Sequence, residues 1–180
     1  MGTSDSIIIR NFTSPFGEMI LGSFGEMLCL CDWKYRKMRK EVDTRVLLHL
    51  DSEFLAGDSP VINNTIDQLS EYFEGRRESF DIPLLLAGSE FQKQVWEKIR
   101  EIPYGETRSY AELTRTLGNE GAIRAVASAN GANATAIIIP CHRVIGSNGE
   151  LTGYAGGLEA KKRLLKLEAK GKGVEQLELF

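Results

Sequence analysis

Ser109–Gly131 reads SYAELTRTLGNEGAIRAVASANG, and this stretch decides the fold of the C-terminal half. Ser109 precedes Glu112 by three residues, the capping-box spacing that opens a helix, and Gly118 closes it. A second helix is expected from Gly121 to about Gly131. Two short helices around a glycine-containing turn predict a helix-turn-helix. On the second helix Ala127, Ser128 and Gly131 share a face with Arg124, so one arginine stands among small side chains. Such a face lets a backbone approach a narrow groove closely.

Moving outward toward the N-terminus, Ser89 and Gln92 form another capping box. Phe91, Val95 and Ile99 recur every four residues, so an amphipathic helix follows and breaks at Pro103-Tyr104-Gly105. Phe80–Leu86 reads as a strand or extended linker. Thr65 to Gln68 fits a third box, with Ile66, Leu69, Tyr72 and Phe73 at helical spacing and Gly75 as C-cap. Ser6–Arg10, Glu18–Phe24 and Met27–Trp33 are short, β-rich and separated by glycine turns, so they read as strands. Residues 34–60 give no clear element. Toward the C-terminus, Thr135–Ile139 is a continuous apolar run and predicts a buried strand. Leu158–Lys170 is a long helix with Gly171 as C-cap. The fold class is α/β (α+β). A small α/β domain with a β-sheet covers 1–85, a helical winged-helix or helix-turn-helix-like domain covers 86–170, and a tail covers 171–180.

The chain has 180 residues and three cysteines. An odd, small cysteine count carries no disulfide framework and fits a reducing, cytoplasmic setting. No apolar run approaches a membrane span, and no secretory signal is expected. The Gly2…Ser6 spacing fits the loose myristoylation pattern and reads as a chance match. The net charge of −3 is uneven: residues 1–87 sum to −5 and residues 88–170 to +3. By this count the C-terminal half is the one suited to meet a polyanion, and the N-terminal half is not.

Pro140-Cys141-His142-Arg143-Val144 follows the expected strand, which would hold Cys141 rigidly at the start of a turn. Adjacent side chains of an extended chain point to opposite faces. Unless the backbone turns, His142 therefore reaches Cys141 only through a water. His142 then needs an orienting partner on its other nitrogen. Glu168 fits, because it follows Leu164 and Leu165 on the apolar face of the last helix.

These residues carry a resemblance. From about Tyr72 to Ala169 the chain resembles the O6-alkylguanine-DNA alkyltransferases. The matching segments are Tyr72-Phe73-x-Gly75, Phe91-Gln92-x-x-Val95-Trp96, Ile102–Thr107, Ser109-Tyr110, Arg124-Ala125-Val126, Ile139–Gly146, Gly153–Leu158 and Leu164-Leu165-x-x-Glu168. The resemblance implies that Cys141 accepts the alkyl group once and irreversibly. It implies that His142 is the base acting through water, Glu168 its orienting carboxylate, Tyr110 the proton donor to the leaving guanine and Asn133 the holder of the cysteine turn. Arg124 would fill the gap left by a base flipped from the minor groove, with Ala125, Ala127 and Ser128 on the docking helix. Val144, Tyr154, Ala155, Gly156 and Gly157 would line the base pocket. The chain departs from many members in having Ala134, not proline, after Asn133, which loosens that turn.

Double-stranded DNA containing O6-alkylguanine is the expected partner of a monomer, with no cofactor and no metal. Cys29 and Cys31, two apart on a strand, offer zinc ligands together with His49, but two buried thiols are the better reading. Gln176, Leu177, Leu179 and Phe180 resemble a bacterial sliding-clamp peptide on a Gly/Lys tether. Three other readings compete: a lesion-binding relative without transfer, a helix-turn-helix transcription factor, and a Cys-His hydrolase. Non-transferring relatives lack the cysteine that Cys141 supplies. The Arg124 helix offers mostly Ala and Gly for base-specific contacts. A hydrolase would turn over repeatedly.

Overall fold

The computed structural model describes residues 5–173. Gly2 and the tail peptide 176–180 lie outside them. The chain divides into two compact units, Met1–Gly88 and Ser89–Phe180.

The first unit opens with β1 (Ile7–Ser14), β2 (Gly17–Phe24) and β3 (Met27–Trp33), an antiparallel meander. Gly25 takes a φ of 58° in the β2–β3 hairpin, a conformation glycine adopts without strain. Residues 34–60 resolve into α1 (Arg39–Leu50) and β4 (Phe54–Ala56). Only Val42 and Val46 of α1 are buried, too few to leave an amphipathic signature. Strand β4 pairs parallel to β1, giving the order β3-β2-β1-β4. Helix α2 (Pro60–Phe73) brings Ile62, Leu69 and Tyr72, all fully buried, into the same core as Ile7, Met19, Leu21 and Leu30.

That helix starts earlier than the Thr65 capping box predicts. Ser59 caps it by accepting from the Ile62 N–H at 3.2 Å, and Pro60 sits at the first helical position, where its missing N–H costs nothing. Thr65 lies mid-helix and donates its hydroxyl to the Val61 carbonyl at 2.7 Å. Gln68 is buried on the same side and accepts from the Asp81 N–H at 2.9 Å. Phe80–Leu86 is an extended segment with a single bridge, Leu28 to Leu84.

The second unit begins with α3 (Glu90–Arg100), and both halves of the Ser89–Gln92 capping box form. Its Trp96 donates to the Ala129 carbonyl at 2.8 Å. The acceptor belongs to α5 (Ile123–Gly131). The Ser109–Glu112 box also forms, opening α4 (Tyr110–Thr116), and Gly118 takes a left-handed φ of 75° behind it. Helices α4 and α5 make the expected helix-turn-helix. Beside them β5 (Arg108–Ser109) pairs parallel with β6 (Val144–Ile145). The last helix is α6 (Leu158–Gly171).

Two expectations fail here. Thr135–Ile139 is buried as predicted but is not a strand. It curls on itself, with the Ile139 N–H donating to the Thr135 carbonyl at 2.9 Å and Ile137 at φ 73°. Apolar runs of this length report burial, not conformation. Gly171 is not a left-handed C-cap but the last helical residue. A Cβ there would lie 2.7 Å from the Tyr104 hydroxyl, so glycine makes room for that ring.

Candidate active site

Pro140 leads from the curled segment into a single 3-10 turn, Cys141–Arg143. Cys141 therefore follows a turn, not a strand, and the backbone does bend between Cys141 and His142. Asn133 sets this path. Its amide donates to the Ile139 carbonyl at 2.9 Å, while its oxygen accepts from the Thr135 N–H at 2.9 Å and hydroxyl at 3.0 Å. One buried side chain thus ties both ends of the curl. Ile137, a β-branched residue in the left-handed region, costs about 1–3 kcal/mol of strain, which this clamp and full burial hold in place.

Three consecutive residues of the turn and one of α6 form the centre. Cys141 is 3% exposed, and His142 and Glu168 are fully enclosed. His142 Nε2 lies 2.7 Å from Glu168 Oε1. Arg143 grips the same carboxylate with two bonds of 2.9 Å and donates to the Ile102 carbonyl at 2.6 Å. The Gly105 N–H supplies a fourth donor at 3.3 Å. Burial would raise the Glu168 pKa, but His142 and Arg143 together outweigh it and hold the group well below the usual carboxylate range.

That electrostatic result fixes the imidazole. A carboxylate only accepts, so Nε2 carries the hydrogen. Burial, helped by Arg143 and Lys161, pushes the His142 pKa below its usual value despite the pull of Glu168. His142 is then neutral with its lone pair on Nδ1. That atom is buried and bonds to no described residue.

Lys161 is the residue that the sequence reading missed. It is fully buried and donates to the Val144 carbonyl at 2.6 Å and the Thr152 carbonyl at 3.0 Å. Burial pulls its pKa down to about 8, against the opposing effect of a negatively charged Cys141. The signal was present: Lys161 stands seven residues before Glu168 on the same buried stripe of α6. Arg143 and Asn130 carry no such local signal, since their partners lie on other elements of the unit.

Tyr110, first residue of α4, is half-buried, and its hydroxyl accepts from Asn130 at 3.1 Å. Burial raises its pKa, and proximity to Cys141 adds to this, so the phenol keeps its proton. Tyr154 packs its ring edge-on to His142 at 6.4 Å. Ala155 and Gly156 are half-buried beside it, and Gly157 is exposed at φ 87° ahead of α6. Arg124, Ala125, Ala127 and Ser128 are all exposed on α5. The unit thus joins Cys141, His142, Glu168, Asn133, Tyr110 and Val144 to a helix-turn-helix. Cys29 and Cys31 are buried in β3 of the other unit, and His49 is exposed on α1. Among the described residues no three metal-binding side chains gather.

The unit thus combines a helix-turn-helix with a buried cysteine followed in sequence by a histidine held by a carboxylate. The sequence profile described as the 6-O-methylguanine DNA methyltransferase DNA binding domain matches residues 90–170, and that of the ribonuclease-like domain matches residues 7–86. The methylated-DNA–protein-cysteine methyltransferase of Methanosarcina acetivorans is 46% identical over 157 residues, covering 87% of this chain and 95% of its own. That of Mycobacterium tuberculosis is 41% identical over 174 residues, covering 95% and 97%. The crystal structure of Mycobacterium tuberculosis OGT in complex with DNA superposes with a TM-score of 0.79 at 40% identity, covering 91% of this chain and 94% of that one. The chain belongs to the 6-O-methylguanine DNA methyltransferase family.

Proposed function

We propose that Cys141 is the alkyl acceptor and that His142, Glu168, Tyr110 and Asn133 serve it in the roles their geometry suits. The reaction class follows from family membership: DNA repair by transfer of an alkyl group from O6-alkylguanine to a protein cysteine. DNA is the macromolecular partner. The observation that carries the assignment of residues is the 2.7 Å contact of His142 Nε2 with Glu168, which leaves Nδ1, in the same turn as Cys141, as the nitrogen with a lone pair.

One water would carry the Cys141 proton to Nδ1, leaving a thiolate. The thiolate attacks the alkyl carbon, the S–C bond forms, and the C–O6 bond breaks with its electron pair on guanine. Tyr110 gives its proton to the leaving base. The product is a thioether with no resident group to cleave it, so each chain acts once. Lys161 holds the Val144 and Thr152 carbonyls, which fixes the loop that Tyr154, Ala155, Gly156 and Gly157 continue toward the base. Arg124, flanked by the small exposed side chains of α5, occupies the stack after the base leaves it.

Intact-protein mass spectrometry after mixing with an O6-methylguanine duplex tests this. One methyl per chain on the Cys141 peptide, absent in Cys141→Ser, is the expected result. Binding without any mass gain would instead make the chain a recognition protein.

Beyond this centre, the residue division 1–85, 86–170 and 171–180 is offered as the functional one, with a cytoplasmic monomer. Gln176, Leu177, Leu179 and Phe180 are offered as a sliding-clamp peptide. Capture by a bacterial clamp that survives deletion of residues 176–180 would argue against it.

A further inference from the structure

The first unit sums to −5 over residues 1–87, yet five of its nine basic residues lie within Lys34–Lys40. The structure sorts these five into two sets. Arg36 and Arg39 turn inward, donating to the fully buried Asp32 at 3.0 and 3.1 Å. Arg36 also donates to the Lys37 carbonyl at 3.0 Å, and Arg39 to the Trp33 carbonyl at 3.3 Å and Asp43 at 2.9 Å. Their charges are spent on internal carboxylates, and their bonds staple the segment between β3 and α1. Lys37 and Lys40 are exposed and Lys34 is half-buried, and none has an ion-pair partner among the described residues.

Three further features meet at the same place. Tyr35 is 80% exposed and Met38 is 64% exposed, and the Lys34 ammonium lies 5.5 Å from the Tyr35 ring centre. Met38 takes a left-handed φ of 62° directly before α1. No side chain caps α1, so its first-turn N–H groups add partial positive charge beside Lys37 and Lys40. The segment is therefore a held platform rather than a loose basic loop. A buried carboxylate bridged to two arginines is poor evidence of added stability. Here it orients what surrounds it.

We propose that Lys34, Lys37 and Lys40, with Tyr35 among them, form a second contact for the sugar-phosphate backbone of DNA, separate from the helix-turn-helix. The count of charges over the whole N-terminal half hides this, because a polyanion meets local charge, not a sum. The chemistry fits phosphate: three ammonium groups without an ion pair among the described residues and a helix N-terminus, with an exposed aromatic ring able to lie against a sugar or an unstacked base. No base-reading group is present, so the contact adds affinity without sequence preference. The proposal rests on DNA being the partner of this chain.

The test is a salt series of duplex binding by the full chain, comparing the wild type with Lys34→Gln/Lys37→Gln/Lys40→Gln. Each phosphate neutralised on a duplex contributes about 0.9 to the slope of log affinity against log salt. The triple variant is expected to lower that slope by about 2 to 3, with the single-turnover transfer rate at saturating DNA unchanged. The control is Arg10→Gln/Arg76→Gln/Arg77→Gln, which removes the same charge from residues already paired with Asp58, Glu74 and Glu71. It should leave the slope alone. Equal slopes for wild type and the lysine variant, or equal losses in both variants, would overturn the proposal. Lysine-dependent capture by anionic lipid vesicles with an unchanged duplex slope would overturn it in favour of a membrane surface. A wild type that does not bind duplex at all would instead overturn the reading of function on which it rests.

Discussion

Cys29, Cys31 and Cys141 are buried almost alike, at 1%, 0% and 3% exposure, yet they sit in opposite chemical settings. Cys29 and Cys31 lie in β3 within the sheet core. Burial pushes the Cys29 thiol up to about 12, and burial with neighbouring Asp32 pushes Cys31 higher still. Cys141 lies on a 3-10 turn with a neutral imidazole next in sequence, and with Lys161 and Tyr110 within electrostatic reach. Under the proposed function, concealment from solvent therefore does not distinguish a reactive thiol from an inert one. What distinguishes them is a nearby base and a nearby cation. The two buried carboxylates repeat the contrast. Asp32 is bridged to two permanently charged arginines and can only hold a loop. Glu168 is bridged to one arginine and one histidine, so the same device also sets a tautomer.

The largest effect should come from Glu168→Gln. It removes the charge that orients His142 and leaves Arg143 buried without its anion, a loss of about 3–5 kcal/mol in stability. Single-turnover transfer should fall by roughly 10²–10⁴, the usual range for losing a positioned base. Thermal unfolding and quenched-flow transfer measure the two. A variant with normal rate would break the distinction drawn between the two carboxylates.

Lys161→Met sharpens the comparison through pH. Lys161 titrates near 8 in the folded chain against an ordinary 10.5. Between these values the unfolded chain binds more protons, so stability should rise with pH across that window. The rise attributable to Lys161 is at most about 3 kcal/mol, and the variant should lack it. Urea unfolding of both proteins at the two ends of the window gives the difference. Equal pH dependence would mean that Lys161 is not held as a buried cation near Cys141.

Asn133→Ala removes three hydrogen bonds and leaves the Ile139 carbonyl and Thr135 donors without their partner. About 2–3 kcal/mol of stability should go with them. Because the clamp holds the strained curl before Cys141, transfer should slow as well, and a stability loss with unchanged transfer would separate the curl from the chemistry. The smallest effect belongs to Cys29→Ala with Cys31→Ala. It should cost roughly 1–2 kcal/mol from lost packing while the protein still gains one methyl per chain by mass spectrometry. Loss of the mass gain would make the sheet thiols part of the reaction.

Much of this was legible in the residues. The capping boxes at Ser89 and Ser109 appear as read, because an N-cap is a local bond between residues three apart. The Thr65 box has the same spacing, yet Ser59 and Pro60 take the helix start six residues earlier, which leaves Thr65 in the helix interior. Glu168 was found because a carboxylate on an apolar stripe needs a reason. Lys161 met the same criterion and was passed over, although a buried lysine is as costly. The Thr135–Ile139 run shows the other limit. Its hydrophobicity correctly reported burial, but Asn133 and a left-handed Ile137 decided its path.

The helix-turn-helix, the cysteine with its histidine and the family were determined by the sequence itself, because each rests on residues close in the chain or on an ordered set of motifs. The tertiary structure alone decided which nitrogen of His142 is basic, where Lys161 spends its charge, and which of the basic residues in Lys34–Lys40 are left to face solvent. Each of those depends on partners far apart in sequence, such as Glu168 for His142 and Val144 for Lys161, and on the low dielectric that burial creates around them.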